Sequence, residues 1–187
     1  MDYYQTRVGK MKLIDDIIDN WDKVMEEYNT VTRTIPLPDF TEDLAINPDW
    51  RAIALWWDGK PGKMFQKKMP FTTELLRHGP THRATGWLML RPHSRTQEHD
   101  HRFWGGRRII VHIPTYIPEG DLGFVVEGQT YRWKMGEIFA FDGYKRHYGF
   151  NNTNELRSIM VFDFDYDTYY NDLKQYMRLD NEELLSS

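Results

Sequence analysis

Five of the seven histidines lie between residues 93 and 147. His99 sits in Glu98-His99-Asp100-His101, and His147 sits far downstream in Lys145-Arg146-His147-Tyr148. Both fall at the edges of apolar runs. Imidazole suits iron, zinc, copper and nickel. Two ligands carried by separate strands suit a metal, because rigid strands fix the angle between them. An iron oxygenase commonly uses two histidines and one carboxylate on one face, leaving positions for co-substrate and oxygen. His99 and His147 are therefore the candidate catalytic, metal-binding pair. His101, Asp100 or water stands open as the third donor. A lone His-x-His is more often a solvated polar loop, so the pair draws its weight from its surroundings.

Arg157 follows on the last apolar run. Alternation puts Arg157, Ile159, Val161 and Asp163 on one face and Leu156, Ser158, Met160 and Phe162 on the other. An arginine on a face shared with Ile159 and Val161 points inward. A buried guanidinium needs an anion, and a small dicarboxylate can supply one through a bidentate pair. An internal salt bridge is the equally weighted alternative. His112 lies in the apolar run Arg108–Ile113. There it is a hydrogen-bonded core residue or a donor to a bound carboxylate.

Elements must hold these residues. Leu13, Ile14, Ile17, Ile18, Trp21, Val24, Met25 and Tyr28 recur at three- and four-residue steps, which predicts a helix over 12–28. Residues 29–50 lose the period and carry Pro36, Pro38 and Pro48, so a loop is expected. A strand through Ala52–Trp57 and a short helix through Phe71–Leu76 follow. From residue 84 the pattern becomes β, with runs at Ala84–Leu90, Arg108–Ile113, Leu122–Val126, Thr130–Trp133, Glu137–Phe141 and Leu156–Asp163. Gly128-Gln129 and Met135-Gly136 read as tight turns. Short strands at this spacing predict a sandwich or barrel. Residues 166–178 return to helix.

The 187 residues carry a net charge of −4, 40% hydrophobic residues, 15% aromatics and no cysteine. One domain that buries a core is expected at this length. The missing cysteines exclude disulfide scaffolds, zinc ribbons and thiol catalysis. The mildly acidic charge argues against nucleic acid, the Arg102–Arg108 patch notwithstanding. The N-terminus lacks a secretory pattern, and no run approaches the roughly 20 apolar residues of a membrane helix. A soluble, cytoplasmic protein is the expectation.

In order along residues 12–163, the chain resembles the aspartyl/asparaginyl beta-hydroxylase family of iron(II)- and 2-oxoglutarate-dependent oxygenases. The likeness opens on Leu13, Asn20-Trp21 and Glu27, and runs through Met69-Pro70-Phe71-Thr72-Thr73-Glu74-Leu75-Leu76. It continues in Leu90-Arg91-Pro92 ahead of His99, in His112-Ile113-Pro114, and in Trp133, Gly136-Glu137, Phe141-Asp142 and His147. Arg157 and Asp163 complete it. The resemblance implies a mainly β, double-stranded β-helix (jelly-roll, cupin-like) core over about 84–164. It implies an N-terminal helical and loop region over 1–83 and a C-terminal helix, all in one oxygenase domain. It implies iron(II) at His99 and His147, and 2-oxoglutarate contacted by Arg157 and His112. His101 stands where members commonly carry Asp or Gly. Leu88 falls on a co-substrate-binding serine position, and Ile110 on an arginine position of animal members.

The expected activity is hydroxylation of a C–H bond in an amino-acid, peptide or protein substrate, with oxygen as co-substrate. The alternatives are a non-redox cupin-like metalloenzyme and a metal-binding module without turnover. Phe103 and Trp104, ahead of Gly105-Gly106, are expected either as a rim over the site or as a loop packed on the barrel.

Overall fold

The apolar stripe that begins at residue 12 forms helix in two pieces. The computed structural model describes residues 11–37, 50–77, 79 and 83–177. Helix α1 (Lys12–Asp19) buries Leu13, Ile14 and Ile17, and α2 (Trp21–Thr34) buries Trp21, Val24, Tyr28 and Val31. The break falls at Asn20, whose side-chain amide donates to the Asp16 carbonyl at 2.8 Å. That bond fills an acceptor which a helix end leaves open. Helix α2 runs on to Thr34, so the loop expected from residue 29 starts later. Val31 extends the buried stripe, and Thr30 and Thr32 donate their hydroxyls to the Glu26 and Tyr28 carbonyls at 2.8 and 3.0 Å. Those bonds satisfy side chains that otherwise compete with helix. Residues 38–49 of the expected loop lie outside the described residues.

Two short helices follow the first strand, α3 (Lys63–Lys68) and α4 (Pro70–Arg77). A six-residue helix is too short to show a period, and α3 was not expected. Pro70 opens α4, where its missing N–H costs nothing. The next two amides, Phe71 and Thr72, donate to the two Glu27 carboxylate oxygens at 2.9 and 2.8 Å. Glu27 of α2 thus caps α4 from outside, and the negative charge suits that helix end.

The strands are β1 (Trp50–Trp57), β2 (Lys60–Pro61), β3 (Ala84–Leu90), β4 (Ser94–Arg95), β5 (Arg108–Tyr116), β6 (Leu122–Val126), β7 (Gln129–Tyr131), β8 (Phe139–Asp142), β9 (His147–Asn151) and β10 (Arg157–Asp165). They form a six-stranded sheet, β2-β1-β3-β10-β5-β8, and a four-stranded sheet, β4-β9-β6-β7. Neighbours pair antiparallel throughout both sheets. This is the expected mainly β jelly roll with flanking helices. Five of the expected strand ranges shift, two of them at turns. Glu127 and Gly128 both have positive φ, 47° and 78°. A two-residue turn of that hand matches strand twist, so β7 starts at Gln129 rather than Thr130. Gly136 at φ 86° closes a turn in which Glu137 N donates to Lys134 O at 3.1 Å, and β8 starts only at Phe139.

Helix α5 (Tyr166–Leu173) follows β10, capped by Asp165, which accepts from Thr168 N at 2.9 Å. A 3₁₀ turn over Lys174–Tyr176 ends it, short of the helix expected to residue 178.

The alternation of β10 sorts two cores. Met160, Phe162 and Phe164 pack toward the helices with Ile14, Ile17 and Trp87. Ile159 and Val161 pack between the sheets with Ile110, Phe124 and Phe141. Complete burial of one such side chain contributes roughly 1.5–3 kcal/mol. Among the described residues, no helix is long and apolar enough to cross a membrane.

Candidate metal centre

The inner space between the sheets holds a cavity. His99, His101, His112, His147, Arg157 and Thr96 line it among apolar side chains. Strand β9 alternates inward His147, Gly149 and Asn151 with outward Tyr148 and Phe150. Facing it, Ser94 pairs with Asn151 and Arg95 with Phe150, and Thr96 N donates to Gly149 O at 2.9 Å. Continuing that register would set Glu98 opposite His147. Instead His99 stands there, bonded N to O and O to N at 3.0 and 2.8 Å. One extra residue is therefore accommodated between Thr96 and His99. Such a bulge re-aims a side chain beside a site. It turns His99 inward and leaves Glu98 outside, paired with Arg146 at 3.1 Å.

His101 enters from the following turn. Its N–H donates to Gly143 O at 2.8 Å. A Cβ on Gly143 would stand 3.3 Å from His101 Nδ1 and 3.2 Å from the Arg108 carbonyl. Glycine there is what lets the ring lie against the turn.

The ligand nitrogens of His99, His101 and His147 all lie within 4.8 Å of one another, a group that can hold a metal ion. His99 Nδ1 donates to the Gln97 carbonyl at 2.7 Å, and His147 Nδ1 donates to the Lys145 carbonyl at 2.7 Å. A neutral ring that donates from Nδ1 presents a bare Nε2, and this outer hydrogen bond fixes the ring for a metal. Of the donors left open by sequence, His101 joins the group. Asp100 instead accepts from Arg102 N at 3.0 Å.

Burial lowers the His99 pKa, partly offset by the Gln97 carbonyl and Asp100. Burial, then His99 and Arg83, lower His101 to about 3. Burial and the other two rings hold His147 well below the usual range. All three imidazoles are therefore neutral at pH 7, the state a metal needs.

An unfolded histidine takes up its proton near pH 6.5, and the folded ones resist until lower pH. Between those values the unfolded state binds more protons, so stability falls as pH drops below about 6.5. We expect the metal-free protein to lose up to about 1.4 kcal/mol per buried histidine per pH unit in that window. Urea unfolding at pH 7.5 and 5.5 measures it, and equal stabilities would contradict three rings held neutral by the fold.

Arg157 lies deeper in the cavity and is only 2% exposed. Its guanidinium carbon sits 4.6 Å over the Trp133 ring, and Nη1 makes one long bond to the Leu88 carbonyl at 3.4 Å. Nε is buried and has no partner. Burial alone pulls its pKa down to about 9, so the cation survives at neutral pH. Among the described residues no carboxylate pairs with it, so the internal salt bridge is not what holds Arg157. His112 is 4% exposed and accepts from Trp133 Nε1 at Nδ1, 3.4 Å away. Its Nε2 then carries the proton.

At the other end of β10, Asp163 accepts from Ala84 N at 2.8 Å and pairs with Arg108 at 3.3 Å. Arg107 pairs with Asp142 at 2.5 Å, so the basic run after the metal group is internally neutralised at these two positions. Phe103 is 95% exposed, which excludes the packed-loop alternative for that side chain.

Sequence reading missed Thr96 and Gly149. Strand β9 is not among the expected runs, because Gly149, Asn151 and Asn152 interrupt its apolar pattern. The available signal was the small-polar alternation of Ser94 and Thr96 against that of His147, Gly149 and Asn151.

Residues 18–166 match the family described as aspartyl/asparaginyl beta-hydroxylase. No curated sequence matches the chain. Among solved structures, the fold is similar to an oxidoreductase of the 2OG-Fe(II) oxygenase family from Burkholderia pseudomallei. The TM-score is 0.54 at 12% identity, covering 86% of this chain and 93% of that one. A weaker likeness, TM-score 0.45 at 12% identity, is to the Cnp3 cupin domain of Schizosaccharomyces pombe, covering 80% and 82%. At 12% identity the first likeness shows the fold alone. The matched segment spans most of the chain and contains the three histidines, His112 and Arg157: the protein belongs to the aspartyl/asparaginyl beta-hydroxylase family.

Proposed function

We propose that the protein is an iron(II)- and 2-oxoglutarate-dependent dioxygenase that hydroxylates a C–H bond of an amino-acid, peptide or protein substrate. One observation carries this reading. A buried, unpaired cation, Arg157, opens on the same cavity as a group of three neutral histidines. A buried cation without a partner costs several kcal/mol, which a ligand carboxylate offsets. Its place supports a five-carbon diacid. Gly149, where a Cβ would come within 3.4 Å of Arg157 Nη2, lies two residues from His147 on β9. Two residues of strand span about 7 Å. A 2-oxoacid anchored at the histidines thus reaches Arg157 with a second carboxylate two methylenes away.

His99, His147 and His101 would hold the iron, which supplies oxygen activation coupled to oxidative decarboxylation of 2-oxoglutarate. The chain's own contribution is placement. The Gln97 and Lys145 carbonyls orient two of the rings. His112 Nε2–H is a donor for a carboxylate, and Arg157 fixes the far end. Phe124 and Phe141 pack on the His147 and His112 rings and shield them from water. With three neutral donors and no carboxylate in the group among the described residues, a dianionic co-substrate is favoured.

Three histidines also suit zinc and non-redox chemistry. A screen of amino acids and peptides with iron(II) and 2-oxoglutarate separates the readings. Succinate release matched by oxygen uptake is expected. Neither, with metal bound, would leave the non-redox reading.

A further inference from the structure

Strands β1 and β3 of the six-stranded sheet form the floor of the cavity facing the histidines. Ile53 and Leu55 of β1 belong to the core under the helices, whereas Ala52 and Ala54 line the cavity. Ala54 pairs with Gly86 of β3, and the next pair is Trp56 with Thr85, so Leu55 is an extra residue. Such a bulge re-aims the side chains that follow it. Trp56 packs with the helices, and Trp57 turns to the cavity opposite Ala84. A regular strand would set Trp56 in that place. A Cβ on Gly86 would stand 1.9 Å from the Ile53 carbonyl oxygen, so no side chain fills the floor between Ala54 and Ala84. This part of the floor lies at the histidine end. Ala84 N donates to Asp163 at 2.8 Å, Asp163 pairs with Ile110, Ile110 pairs with Phe141, and the Phe141 ring is 4.7 Å from that of His147.

The charge around this floor narrows what it can accept. Among the described residues, Arg157 and Asp163 are the charged side chains other than histidine that line the cavity. Arg157 lies at the opposite end of β10, and Asp163 is committed to Ala84 N and Arg108. An acidic side chain placed over Ala54 and Ala84 would meet hydrocarbon and the Asp163 carboxylate. An amide would leave its polar groups unmet. An aliphatic or aromatic group gains the Trp57 ring and the alanine methyls at no such cost. We propose that Trp57, Ala54 and Ala84 form the substrate pocket and that it takes a residue with an aliphatic or aromatic side chain, whose C–H bond then faces the three histidines. That class differs from the aspartyl and asparaginyl residues in the family's description. The inference rests on the hydroxylase reading above.

The test offers the wild-type protein, with iron(II), 2-oxoglutarate and oxygen, two sets of free amino acids and short peptides with randomised flanks. One set fixes valine, leucine, isoleucine or phenylalanine, and the other fixes aspartate, asparagine, glutamate, lysine or arginine. Gain of one oxygen atom, read by mass, is expected in the first set and not in the second. Trp57→Ala should weaken anaerobic binding of a first-set substrate about tenfold, read by calorimetry, and leave 2-oxoglutarate binding as in wild type. If Trp57→Ala does not fold, Ala54→Leu keeps Trp57 and raises the floor, and should exclude phenylalanine substrates while valine ones still bind. Oxygen gained by the second set, or by neither, would overturn the pocket, as would unchanged substrate affinity in the folded variant. Wild-type binding of 2-oxoglutarate then still upholds the co-substrate reading. A wild-type protein that holds iron but binds no 2-oxoglutarate would overturn that reading, and the pocket with it.

Discussion

Arg157→Met should give a protein more stable than wild type and nearly without activity. The two effects have one cause. Arg157 is 2% exposed, its Nε has no partner, and among the described residues no carboxylate faces it. Replacing a buried ionic group by an apolar side chain of similar length is often stabilising by about 1–4 kcal/mol. Methionine also keeps an unbranched stem against Trp133. The melting temperature of the co-substrate-free protein should therefore rise, by about 2–4 °C for each kcal/mol at this chain length. The same change removes the charge-assisted bonds to the distal carboxylate. Truncating one partner of a buried, hydrogen-bonded charge pair costs about 2–5 kcal/mol, so 2-oxoglutarate affinity should fall at least about 30-fold. Thermal melts and co-substrate titration measure the two. A loss of stability together with unchanged affinity would mean that Arg157 serves the core rather than a ligand.

His147→Ala should abolish metal-dependent stabilisation. His147 is 3% exposed and sits opposite His99 in a backbone pair that the substitution leaves intact. Folding of the metal-free chain should therefore survive. A metal that binds only the folded state stabilises by about 2.7 kcal/mol at a hundred times its dissociation constant. Wild type should show that gain with iron(II) or cobalt(II), and His147→Ala should not. Outer hydrogen-bond partners alone cost 10–100-fold in metal affinity, so loss of a ligand should cost more. An equal metal-induced shift in both proteins would remove His147 from the centre.

The inward face of β10 was legible because Arg157 and Asp163 mark its phase. Either phase alone is apolar, and two polar residues six positions apart suffice to say which side faces the cavity. His99, His147 and Arg157 were readable as types at strand edges. What brings His99 opposite His147 was not readable. The bulge between Thr96 and His99 depends on the register of β4 against β9, a long-range pairing that no local pattern encodes. The break at Asn20 was hidden as well, since the apolar stripe crosses it without losing phase. Glu27 stood in the resemblance as a letter of a motif. Its reason, two α4 amides held by one carboxylate, needed the packing of α2 on α4. His101 stood open beside Asp100 and water; its ring lies in the three-histidine group next to Gly143, where a Cβ would come within 3.3 Å of its Nδ1.

In the proposed centre, three histidines and Arg157 together hold a metal-bound 2-oxoacid. Its most direct test is the visible absorption of the anaerobic protein on adding iron(II) and then 2-oxoglutarate. A weak charge-transfer band that grows with 2-oxoglutarate and saturates at one equivalent per chain is expected, absent in His147→Ala and shifted to far higher 2-oxoglutarate in Arg157→Met. No band from wild-type protein shown to contain iron would contradict it.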